Sequence, residues 1–111
     1  MQISERQTNQ FTILELSGRL TVNDQPGLLR DTVVEVVQRG ARAVLLDLSG
    51  VQYIDSTRLG ELISAHVSLM RQGGSLKLVR APAKIIELLQ VAGLDGVFRC
   101  YDTIEEATGQ A

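Results

Sequence analysis

Val44-Leu45-Leu46-Asp47-Leu48 carries apolar residues with almost no polar interruption. A strand with one wet face alternates between polar and apolar residues, whereas a strand covered on both faces by helices does not. This segment is therefore expected at the centre of a sheet. Parallel neighbours of such a strand need long crossovers, usually helical, and the flanking sequence provides them on both sides.

Upstream, Phe11-Thr12-Ile13-Leu14-Glu15-Leu16 reads as a strand that Gly18 ends, with an earlier edge strand around Ile3. Asn23, Asp24 and Gln25 offer polar caps, and Pro26 suits a first helical turn. Leu29, Val33, Val36 and Val37 then recur at helical spacing until Gly40, a good stop after Arg39. Downstream, Leu59, Leu62, Ile63, Val67 and Met70 follow a 3.6-residue period that Gly73-Gly74 breaks. Leu76 to Val79 reads as a strand, and Pro82 opens a helix with Ile85, Leu88, Leu89 and Ala92 on one face. Gly93 followed by apolar Leu94 closes it. Val97 to Tyr101 reads as a strand, and Thr103 with Glu106 has the spacing of a capping box, predicting a short helix that frays by Gly109. The order predicts one α/β domain over residues 1–111, a mixed sheet of about four to five strands with about four helices.

Composition excludes several functions. Eleven basic and thirteen acidic residues leave a formal charge of −2, spread without blocks of one sign. The aromatic residues Phe11, Tyr53, Phe98 and Tyr101 are too sparse for a base-stacking platform, so no nucleic-acid partner is expected. No apolar run approaches the roughly 18 residues that a membrane span requires. The lone Cys100 cannot form an internal disulfide, and the first six residues lack the apolar stretch of an export signal, so a cytoplasmic setting is expected.

Asp55-Ser56-Thr57 stands where the central strand gives way to the second helix. A helix start gathers unpaired N–H groups and the positive end of the helix dipole, so a hydroxyl there can cap, attack or carry phosphate. Capping accounts for one such residue; three in a row exceed what one helix end uses, leaving at least one to face a partner. Phosphate on Ser56 would suit the helix end but would burden a partner packed there with a desolvated dianion.

The other polar candidates have structural readings. Asp47 and Asp55 belong to no carboxylate or histidine cluster at metal spacing, so neither a metal nor a hydrolase is expected, and Asp47 is read as satisfied by backbone bonds near the strand's end. His66, on the apolar stripe of the second helix, is read as a partly buried, hydrogen-bonded residue, and Cys100 as a buried structural thiol. Gly73-Gly74 lacks the lysine and hydroxyl residue of a phosphate-binding loop and is read as a turn. No catalytic residue and no cofactor are expected.

With Leu46-Asp47-Leu48-Ser49-Gly50-Val51-Gln52-Tyr53-Ile54-Asp55-Ser56-Thr57 at its centre, the chain resembles the STAS domain of bacterial anti-sigma factor antagonists. Gly18-Arg19-Leu20, Gly73-Gly74-Ser75-Leu76-Lys77-Leu78 and Leu88-Leu89-Gln90-Val91-Ala92-Gly93-Leu94 fall in the order and spacing that family shows. The resemblance implies a non-catalytic partner-switching regulator of transcription. It would bind an anti-sigma factor serine kinase, which holds the ATP and magnesium, and be phosphorylated at Ser56, with Thr57 as the second candidate. The docking surface it implies comprises Asp55, Ser56, Thr57, Arg58, Leu59 and Glu61. Arg58 stands where the family usually has glycine, and is expected as a long cation flanking Ser56, able to pair with Asp55, Glu61 or a phosphate. Arg19 and Thr21 stand where the family often has acidic residues. The alternative is a scaffold subunit of a larger signalling assembly, packed with copies of itself and without a sigma-factor partner.

Overall fold

The computed structural model describes residues 1–20 and 27–109; the expected caps at Asn23, Asp24 and Gln25, with Pro26, lie outside them, as does Thr21. Among the described residues five strands and four helices follow in the order β1 (Gln2–Thr8), β2 (Phe11–Leu20), α1 (Leu28–Gln38), β3 (Ala43–Ile54), α2 (Ser56–Arg71), β4 (Ser75–Val79), α3 (Ala83–Val91), β5 (Arg99–Tyr101) and α4 (Ile104–Thr108). The strands lie side by side in chain order. β1 runs antiparallel to β2, and the remaining neighbours are parallel, so the sheet is mixed and β3 is its central strand.

Strand register explains the core. Leu14 pairs with Leu46, and Leu46 with Leu78, so these side chains line one face of the sheet. Against that face α1 contributes Leu29, Val33, Val36 and Val37, the four positions its spacing predicts. Leu62, Ala65 and Leu69 of α2 and Ile85 and Leu89 of α3 join the same cluster. Each fully buried aliphatic side chain stabilises the fold by about 1.5–3 kcal/mol relative to exposure. The second face is covered differently from the expectation of helices on both sides. Ile13, Leu45 and Val79 meet only Ala107 and Ile104 of the short α4, together with Phe11 and Tyr101. Lys77 completes this cover: its Nζ lies 5.9 Å from the Phe11 ring centroid and 5.4 Å from that of Tyr101, and donates to the Ala107 carbonyl at 2.9 Å.

Two boundaries and one buried face depart from the sequence reading. Gly18 does not end β2; it adopts φ +96°, inside a stretch where the register with β3 shifts on either side of it, so a glycine-type irregularity bends the strand and lets it continue to Leu20. β5 is only three residues long, since residues 95–97 form a turn instead. The stripe of α2 is rotated: Val67 and Met70 are exposed, and the buried positions are Arg58, Leu62, Ala65 and Leu69. Two expected devices are present. Leu94 N–H returns to the Leu89 carbonyl at 2.8 Å to close α3, and Thr103 with Glu106 forms the reciprocal capping box of α4. Gly74 has a steric reason besides its turn, because a Cβ there would lie 2.2 Å from the Arg42 carbonyl oxygen.

Candidate docking site at the start of the second helix

β3 delivers the chain to this site through buried Ile54, and the Asp55 N–H donates to the Leu20 carbonyl at 2.9 Å, anchoring the junction to the end of β2. Asp55 has extended backbone angles, φ −90° and ψ 174°, and its carboxylate accepts the Arg58 N–H at 2.9 Å. Asp55 is thus the cap. Ser56 and Thr57 are the first two residues of α2, and both are exposed. Their hydroxyls stand at the positive end of a 16-residue helix whose first turn contains no acidic residue.

Arg58 is a correction. Expected in the docking surface as a long cation flanking Ser56 and able to pair with Asp55 or Glu61, it does pair with Glu61, but it is 1% exposed and takes the first place in the buried stripe of α2. Ser56 and Arg58 are two residues apart and so point to different sides of the helix. The guanidinium Nη1 donates to Glu61 Oε2, one turn along. The Glu61 side chain is only 14% exposed, and its other oxygen, Oε1, is buried without a hydrogen-bond partner. Leu59 is half-buried against the core. Of the six residues expected to form the docking surface, Ser56 and Thr57 face outward, Asp55 is partly exposed, and Arg58 is turned inward with Glu61 largely beside it. Gly60, absent from that set, shares the outward side with Ser56: it is exposed, four residues after Ser56, with open space where a side chain would stand. The i, i+4 spacing was the available signal. Beside the junction, the Arg19 guanidinium stacks over Tyr53 at 5.1 Å.

Asp47 is 1% exposed and, as expected, satisfied by a backbone bond, from Ser49 N–H at 3.0 Å. It also holds an ion pair that the sequence did not reveal, with Arg80 Nη2. Burial alone pushes this carboxyl up, but the Arg80 hydrogen bond, the Ser49 contacts and the Arg80 charge together outweigh it and hold the carboxyl below its usual value. Arg80 sits at φ 54° directly after β4, where Val79 pairs with Asp47, which lets its side chain turn back across the strand end. His66 is partly buried as expected, its ring tilted against Phe98 at 5.2 Å, yet its Nδ1 is buried without a hydrogen bond. Cys100 is exposed, contrary to the buried thiol expected, because β5 is a short edge strand with little packed over it. Among the described residues no group of three potential metal ligands occurs, and no helix is long and apolar enough to cross a membrane.

The STAS domain family matches residues 2–107 of the chain. The anti-sigma-B factor antagonist of Bacillus subtilis is 29% identical over 97 residues, covering 87% of each protein. The crystal structure of TM1081 from Thermotoga maritima superposes with a TM-score of 0.89 at 28% identity, covering 97% of this chain and 92% of that one. The Bacillus cell fate determinant SpoIIAA, solved in its phosphorylated form, has the same fold, with a TM-score of 0.74 at 19% identity and 98% of each chain covered.

Proposed function

Since the chain belongs to the STAS domain family, we propose that it is an anti-sigma factor antagonist whose docking surface is centred on Ser56. In this reading the unmodified protein binds an anti-sigma factor serine kinase through Ser56, Thr57 and Gly60, and phosphorylation of Ser56 by that kinase releases it. Thr57 is the second acceptor candidate. The protein contributes no catalysis and no cofactor of its own, and works in the cytoplasm. The observation that carries the reading is that Asp55 makes the helix cap, so the exposed Ser56 hydroxyl has no structural task to explain it. The name of the Bacillus subtilis relative and the phosphorylated form of SpoIIAA agree with it.

The energetics fit a switch of binding and not of folding. A phosphoserine adds about 1.5 to 2 negative charges, which the free N–H groups and dipole at a helix start tolerate. A partner packed on the same spot would have to desolvate that dianion, which costs several kcal/mol when no cation answers it. The inward turn of Arg58 supports access to Ser56, because the guanidinium neither covers the hydroxyl nor points to its side of the helix.

The decisive experiment incubates the protein with anti-sigma kinases of its own genome and ATP, then maps phosphate by mass spectrometry. Phosphate is expected on Ser56. Ser56→Asp is expected to weaken kinase binding by at least about tenfold while shifting the thermal midpoint little, since the cap is untouched. Equal binding by the two forms would sink the proposal.

A further inference from the structure

The side of the molecule formed by α1 and α2 holds a groove of about 520 Å³ that the Ser56 surface does not use. We propose that this groove docks an acidic amphipathic helix of a partner protein. Val33, Val37 and Ala65 are buried along its floor, while Val34 stands 45% exposed at its wall. Arg30 and Arg42 line its rim. Past Ser64 and Ser68 the groove continues into a shallower one with Ile63, Val67 and Arg71.

Charge identifies the occupant. The chain has more acidic than basic residues, yet every charged side chain lining the two grooves is an arginine. Arg30 is partly answered by its neighbour Asp31, with Nε–Oδ1 at 3.3 Å. Arg42 gives one nitrogen to the Val37 and Ala41 carbonyls, closing the end of α1, and remains an exposed cation. Apolar ground edged only by positive charge fits a ligand with an apolar stripe and carboxylates beside it, and such edges steer association more than they add affinity.

Shape identifies its form. Two adjacent helices leave a furrow that accepts the side-chain ridge of a third, and the small side chains of Ser64, Ala65 and Ser68 let its backbone come close. Val34 and Val67 would lose their exposure in the process. Ser64 and Ser68 lie roughly 12 to 18 Å along α2 from Ser56 at about 1.5 Å per residue, and Ser56, Thr57 and Gly60 do not line either groove. The inference therefore stands or falls independently of the switch at Ser56.

The test pans a phage library of helical peptides against the full chain and measures the enriched peptides by fluorescence anisotropy. Enriched sequences are expected to carry an apolar i, i+3/i+4, i+7 stripe flanked by Asp and Glu. Val34→Asp is expected to weaken them at least about tenfold, and Arg42→Glu or Arg71→Glu about three- to tenfold, with Ser56→Asp leaving affinity within about twofold. Arg71→Glu guards against any effect of Arg42→Glu on α1, and an unchanged thermal midpoint checks each variant. Neutral or basic winners, indifference to Val34→Asp, or loss of binding with Ser56→Asp would overturn the proposal. So would dodecanoate filling the groove, seen as amide shifts at Val34 and Ala65, if no peptide is enriched.

Discussion

Two arginine–carboxylate pairs in this protein bury opposite members. At the start of α2 the cation is inside: the Arg58 side chain is 2% exposed and its partner Glu61 14%. At the end of β3 the anion is inside: Asp47 is 1% exposed and Arg80 43%. The buried cation is answered from its own helix, one turn away; the buried anion is answered by a backbone amide and by a residue 33 positions along the chain, reaching in on an apolar stem. A guanidinium is weakly hydrated and planar, so it can be folded under a helix beside a carboxylate of the next turn. A buried carboxylate accepts several donors, and here they come from wherever the sheet brings them. The Arg58–Glu61 contact is therefore set by local helix geometry, and the Asp47–Arg80 contact by tertiary structure.

The largest expected effect breaks the local pair. Glu61→Ala removes the carboxylate facing a buried guanidinium and should destabilise the fold by about 3 kcal/mol in urea unfolding. The double change Arg58→Met with Glu61→Leu should recover most of that loss, since apolar replacements of buried pairs are often neutral. If the single change costs under about 0.5 kcal/mol, the pair is no more than a surface contact.

Arg80→Ala should cost less, about 1–2 kcal/mol, because water screens the half-exposed guanidinium and Ser49 still serves Asp47. A loss equal to that of Glu61→Ala would erase the distinction between the two pairs.

The smallest effect is a dependence on pH that separates them further. The Asp47 carboxyl is lowered in the fold from an unfolded value near 3.8. Its stabilisation is complete above that value and is lost as pH falls through the lower folded one. The stability gap between the native sequence and Arg80→Ala should therefore narrow between about pH 5 and about pH 2, as followed by chemical unfolding. A gap that widens in acid would reverse the sign assigned to this pair.

The same contrast explains what was legible in the sequence. The α1 stripe, the central strand and the Thr103–Glu106 cap rest on spacing within one element, and each appears where spacing puts it. The α2 stripe was misplaced by a rotation about the helix axis because a pattern read only from apolar residues omits Arg58, which fills a core position beside Glu61. Asp47–Arg80 could not be seen, since only the pairing of β3 with β4 joins them. The location of the candidate site was legible from Asp55-Ser56-Thr57, but the division of labour within it was not: a side chain's role as cap or as surface depends on backbone angles, and only those assign the cap to Asp55.

Lys77, held between two rings and the end of α4, has a practical meaning for chemistry done on this protein. The chain has two lysines, and the other, Lys84, is exposed on α3. Of the two ε-amines, amine-directed reagents therefore meet one that is open and one that is partly buried and engaged by the Ala107 carbonyl and two rings. Acylation at Lys77 relative to Lys84 therefore reports how firmly the end of α4 holds that amine.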